Sequence, residues 1–223
     1  PVDPGPDPVP PVEPDPTPPA PEPKPILPIL PSGGQSAWKN PYQDVTDSSS
    51  YYEAVCYVTE KGLMNGTSAS TFSPDAAMTR AMMVTILWRM EKEPAALKSN
   101  FTDLTADWYR TAVDWAAETG VVNGVGNGKF APNATLSLEQ LITILYRYAE
   151  NKGYNVSKSA SLDSFTDGSA VSAYAKPAMQ WAVGMNFLSG NTLTPGAPAS
   201  RAQIAQVLML FCNCLLYTSP SPR

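Results

Sequence analysis

The chain has 223 residues, 24 of them proline, a formal net charge of −5 and no histidine. The acidic balance argues against a nucleic-acid backbone as partner, and no apolar run approaches the length of a membrane span. The lack of histidine removes the commonest general base and the commonest metal ligand.

Residues 1–39 read as a spacer. Residues 1–31 are a low-complexity run of proline with valine, aspartate and glutamate, which cannot bury a core. It is expected to form a disordered, extended arm of polyproline II character, rising about 3.1 Å per residue. The chain opens in mid-spacer without a methionine or a signal peptide, so a fragment is expected, with an effector domain upstream.

From Tyr42 onward the chain is a repeat array. Three units run from Tyr42 to Met90, Phe101 to Tyr148 and Phe165 to Phe211, and the expected domains are 40–98, 99–160 and 161–213. Each unit begins with an aromatic-x-Asp lead-in: Tyr42-Gln43-Asp44, Phe101-Thr102-Asp103 and Phe165-Thr166-Asp167. A first helix follows, predicted near 51–61 in unit one and 108–119 in unit two. Asp47 or Ser50 is the candidate cap of the former and Asp107 of the latter. Gly62, Gly120 and Asn186 stand where a left-handed stop is needed. A loop comes next, and in unit three it is shorter, with Gly190 aligned on Gly124. The second helix opens on Thr79, Ser137 or Ser200, each a good N-cap, and then runs apolar at helical spacing. The predicted fold is therefore mainly α: three tandem two-helix repeats with the second helices deepest.

Four features carry candidate chemistry. Arg80 and Arg201 follow the caps Thr79 and Ser200, where a helix N-terminus favours an anion and a guanidinium can grip a carboxylate through two hydrogen bonds. They can equally bond backbone carbonyls of a neighbouring unit and lock the array. Trp115 and Trp181 share one aligned position with Tyr57; each is either core or a stacking platform for a sugar ring. Gly126 and Gly128 form a Gly-x-Gly loop able to cradle an anion, without the strand–loop–helix context of a nucleotide site. The pairs Asp103/Asp107 and Asp163/Asp167 precede helices and read as turn and cap residues. Nothing suggests catalysis, a metal or a cofactor. Cys56, Cys212 and Cys214 lack zinc spacing. Cys56 aligns with Asp114 and Gln180, a position read as solvent-facing, and the sequence leaves open whether Cys56 and Cys212 pair.

The fixed order of these pieces, three times over, resembles the S-layer homology family. That family's second helix opens Thr-Arg-Ala-Glu. Unit one has Thr79-Arg80-Ala81-Met82 and unit three Ser200-Arg201-Ala202-Gln203, whereas unit two departs with Ser137-Leu138-Glu139-Gln140. The resemblance implies pseudo-threefold packing and inter-repeat grooves. These would bind a secondary cell-wall polysaccharide linked to peptidoglycan, its sugars often bearing a pyruvate ketal whose carboxylate the arginines would hold. It also implies an exported bacterial protein at the cell surface. The groove centred on unit two, lacking the arginine, is expected to be weak. An array binding other surface proteins is the second reading. Residues 214–223 break the repeat pattern and resemble one reading frame of a transposon-based sequencing adapter; read-through after Asn213 is expected, the alternative being a disordered tail.

Overall fold

A computed structural model describes residues 38–216, so the expectations for the proline-rich arm and for residues 217–223 lie outside the described residues. Six α-helices form, two per repeat: α1 (Tyr52–Glu60), α2 (Arg80–Met90), α3 (Asp107–Glu118), α4 (Leu138–Asn151), α5 (Lys176–Gly184) and α6 (Arg201–Phe211). Among the described residues, β structure is limited to isolated bridges. The chain divides into two compact units, one made of 77–199 and the other of 38–76 with 200–216.

In the first unit α2 packs on α3 and α4 on α5, so each second helix meets the first helix of the following repeat. The residues that precede the three N-caps close a ring of backbone hydrogen bonds. The Met78 amide donates to Ala199 (3.2 Å), Ala199 to Leu136 (2.8 Å) and Leu136 to Met78 (2.9 Å). Three equivalent positions bonded head to tail are the local signature of the threefold repetition. In the second unit α6 packs on α1, the same pairing carried from repeat three back to repeat one. The second helices bury Met83, Val84 and Leu87, then Leu141, Ile142 and Leu145, then Ile204, Ala205 and Leu208. Burial of these apolar faces is the main stabilising term.

Thr79, Ser137 and Ser200 are N-caps as expected, accepting from Met82, Gln140 and Gln203 amides. The first helices start differently from expectation. α1 begins at Tyr51 with no side-chain cap, because the Ser49 hydroxyl accepts from Thr46 and the Ser49 carbonyl takes the Tyr52 amide. α3 is preceded by Ala106, and Asp107 is its first helical residue. The buried Tyr109 hydroxyl accepts from the Thr105 and Ala106 amides and so does the capping that Asp107 was expected to do. Gly62, Gly120 and Asn186 end the helices at φ of +66°, +73° and +60°, as the stops require. The expected match of Gly190 to Gly124 fails in conformation. Gly124 is crowded, since a Cβ there would lie 2.6 Å from the Lys129 carbonyl, whereas Gly190 turns at φ +107° in open space. The shorter third loop needs a left-handed residue at that point.

The lead-in aspartates are clamps rather than helix caps. Asp44 accepts from the Phe72 and Ser73 amides, Asp103 from Phe130 and Ala131, and Asp167 from Leu193 and Thr194, all at 2.7–2.9 Å. The second residue of each pair has positive φ: +56° at Ser73, +57° at Ala131 and +50° at Thr194. Such backbone costs about 1–3 kcal/mol without glycine and needs surrounding bonds to hold it. The amides of Leu193 and Thr194 hold the Asp167 carboxyl below its usual value. A depressed carboxyl contributes stability above its unfolded pKa, about 3.9, and loses it as pH falls through the lower folded value. The urea midpoint should therefore fall with pH below about 4, and Asp167→Asn should remove part of that acid dependence; an unchanged profile would refute the clamp's contribution.

The link between repeats one and two is pinned. Trp88 Nε1 donates to the Pro94 carbonyl (2.8 Å), Leu97 N to Glu118, and Ser99 N and Oγ to Asp114. Asp114 is consequently buried, and Cys56 at the matching position is half-buried, so the solvent-facing expectation for that position is corrected. All three cysteines are free thiols. Burial, with Glu60 and Glu53 adding to it, pushes the Cys56 thiol up to about 11. Cys212 is pushed up to about 11 by burial.

Candidate functional site

The start of each second helix was the first place to seek a ligand, because four amides there lack intrahelical partners. The fold fills them. In α2, Arg80 N donates to Ala134 O and Ala81 N to Pro132 O, both 3.0 Å; in α4, Leu138 N donates to Ala197 O and Glu139 N to Pro195 O; in α6, Arg201 N donates to Ala76 O and Ala202 N to Pro74 O. Each helix is thus capped by the loop of another repeat in the order one by two, two by three, three by one. The third amide goes to the cap hydroxyl. In α4 and α6 the fourth, that of the cap itself, donates to Gln140 Oε1 (3.3 Å) and Gln203 Oε1 (3.0 Å). Glutamine does here what the family's glutamate would do in a capping box.

Arg80 and Arg201 lie in the same junctions. Arg80 is 2% exposed; its Nε donates to Phe130 O (3.1 Å) and its Nη2 to Asn123 O (3.2 Å). Arg201 is 9% exposed, with Nε on Phe72 O (2.7 Å) and Nη2 on Asn65 O. Each guanidinium also sits over a phenylalanine ring, Arg80 at 4.9 Å from Phe130 and Arg201 at 4.6 Å from Phe72. Burial lowers the Arg201 pKa, while Tyr42 and Asp44 act in the opposite sense. The fork therefore grips carbonyls of a loop rather than pointing freely at solvent.

Repeat two shows the same logic with other residues. Leu138 replaces the arginine, and Leu193 stands where Phe72 and Phe130 stand, both leucines buried. The Leu193 carbonyl, which no arginine reaches, accepts instead from Thr194 Oγ1 at 2.7 Å. The absent arginine in α4 thus has a packing partner and a replacement donor. A further link is unique to this junction: the buried Glu139 accepts from Ser172 N (3.0 Å), Ser172 Oγ (2.8 Å) and Tyr174 OH (3.0 Å). The sequence gave no hint of this role, since alanine occupies the position in both other repeats.

The remaining candidates separate. Trp115 is 7% exposed and Trp181 1%, the latter packed edge-on to Tyr146 and Phe187. Their rings are core surface. Gly126 and Gly128 adopt φ of +98° and +68°, and their carbonyls accept from Lys129 and Thr102. The open concave feature lies elsewhere, where α6 meets the start of α1: a cleft of about 410 Å³ lined by Asp47, Tyr52, Glu53, Gln206 and Leu210 among others. No group of His, Cys, Asp and Glu suited to a metal occurs among the described residues, and no described helix is long and apolar enough to cross a membrane.

These features define a class: an array of two-helix repeats in which every second helix is capped by another repeat's loop. The S-layer homology domain matches residues 41–82, 100–142 and 164–205, more than half of the chain, and the chain belongs to that family. It is similar to an endoglucanase of Bacillus sp. (strain KSM-635), 31% identical over 75% of this chain and 18% of the relative. It is also similar to the surface-layer 125 kDa protein of Lysinibacillus sphaericus, 31% identical over 70% of this chain and 13% of the relative. A cellulosome-anchoring protein of Acetivibrio thermocellus is 26% identical over 57% of this chain and 30% of its own length. The chain spans less than a fifth of the first two relatives.

Proposed function

We propose that the repeats anchor a bacterial protein non-covalently to its cell wall by binding a peptidoglycan-linked secondary polysaccharide, pyruvylated sugars among its units. The observation that carries this reading is the threefold recurrence of one cleft, second helix against the first helix of the next repeat, in a chain of the S-layer homology family. Three weak sites on one polymer raise avidity without any single tight contact. Arg80, Arg201, Thr79 and Ser200 serve the clefts by fixing the loops and helix starts around them, and the Gly126–Gly128 turn and the two tryptophans shape the same elements. The much longer relatives, one named an endoglucanase and another a surface-layer protein, support an anchor that serves different effectors. Such an anchor acts at the cell surface and performs no catalysis of its own.

The test is co-sedimentation with Gram-positive sacculi. The chain should pellet with intact sacculi, and hydrofluoric acid, which strips the secondary polymer, should abolish this. Binding that survives the acid, or no binding with capture of a surface protein instead, would overturn the reading.

A further inference from the structure

The three helix clefts carry different charge, and this rests on the wall-binding reading just given. In the α1–α6 cleft, Tyr52 and Leu210 face the space together with Asp47 and Glu53, and no lysine or arginine lines it. The repeats place Arg110 and Lys176 at the position of Tyr52, and Arg89 and Arg147 at the position of Leu210. They place Thr105 and Val171 at that of Asp47, and Thr111 and Pro177 at that of Glu53. Two acids and no base in one cleft thus become two bases and no acid at the same four positions of the others. We infer that the α1–α6 cleft takes an uncharged sugar unit of the polymer and turns away a carboxylate-bearing one, leaving charged units to the α2–α3 and α4–α5 clefts.

The chemistry of the lining supports this. Sugar hydroxyls are donors, and carboxylates are strong acceptors for them. Gln206 adds an amide beside them, and Tyr52 and Leu210 offer apolar surface to the C–H face of a pyranose. The volume of about 410 Å³ falls in the range of small-molecule sites. Glu53 lies in the first turn of α1 and already balances the positive end of that helix. A carboxylate entering there meets two like charges. At a separation of about 6 Å in water each weakens binding roughly threefold.

The experiment uses the full chain, ¹⁵N-labelled at low salt, with two probes: a neutral N-acetylhexosamine disaccharide and the same disaccharide carrying a ketal-linked carboxylate. The neutral probe should shift the amides of Glu53 and Gln206 at about tenfold lower concentration than the anionic one. In the Asp47→Asn, Glu53→Gln double variant the two probes should become equivalent at those amides. Neither carboxylate makes a hydrogen bond among the described residues, so the variant should fold, and an unchanged thermal transition checks this. Equal response to both probes in the wild type, no response to either, or a preference that survives the double substitution would overturn the inference. Sedimentation with sacculi separates the two readings. A chain that fails to pellet loses the wall-binding reading, whereas a chain that pellets while Glu53 and Gln206 ignore probe charge loses only this one.

Discussion

Arg80→Leu is expected to lower the unfolding free energy by about 3–5 kcal/mol, read as a shift of the urea midpoint. The substitution removes hydrogen bonds to Phe130 O and Asn123 O and leaves those carbonyls without their charged donor. An unsatisfied buried polar group costs about 1–3 kcal/mol, and the lost guanidinium–ring contact with Phe130 adds to it. The chain itself supplies the rescue. Repeat three places Leu193 and Thr194 opposite Leu138, with the threonine hydroxyl serving the Leu193 carbonyl. The triple variant Arg80→Leu, Phe130→Leu, Ala131→Thr copies that arrangement into the first junction and should recover more than half of the loss. Ala131 already has the left-handed φ of Thr194, +57° against +50°, so the backbone is ready for the exchange. A single variant as stable as wild type would show that the buried arginine is not a staple; a triple variant no better than the single would refute the compensation.

Glu139→Ala should cost about 2–4 kcal/mol, because three donors lose one acceptor together. Ser172 N, Ser172 Oγ and Tyr174 OH all converge on this carboxylate. The loss should be local. Hydrogen exchange of the Ser172 amide should quicken strongly, since that segment leads into α5 and is tied to α4 through this side chain. Glu139→Gln separates charge from shape: its amide nitrogen would meet the Ser172 N–H, donor against donor, so it should restore less than half of the stability. If Glu139→Ala leaves both the urea midpoint and Ser172 exchange unchanged, the carboxylate is not holding the segment. Wall binding should weaken with the destabilised α4–α5 cleft and not in proportion to net charge, which distinguishes positioning from a direct electrostatic role.

Much of the architecture is local physics, and local physics is readable from residues in order. The caps Thr79, Ser137 and Ser200 accept from amides three residues on. The stops at Gly62, Gly120 and Asn186 need only a residue tolerant of positive φ. The three helix pairs follow from apolar spacing of 3.6 residues and from the repeats themselves. Where a partner came from a distance, the sequence misled. Asp107 looked like the cap of α3, yet Tyr109 folds back to do it. Asp103 and Asp167 looked like turn residues of their own helices, yet each binds two amides more than twenty residues away.

The sequence by itself determined the helices, their ends, the threefold repetition and the family. Only the tertiary structure decided which repeat's loop closes which helix, and hence that Arg80 and Arg201 grip carbonyls of Phe130 and Phe72 from 50 and 129 residues away. It also decided that α6 meets α1, which sets Leu210 beside Asp47 and Glu53 and gives that cleft its acidic lining. The reason is physical: a helix end specifies that its amides need acceptors and a buried arginine that it needs carbonyls, but neither specifies whose. That choice belongs to the packing of one repeat against the next.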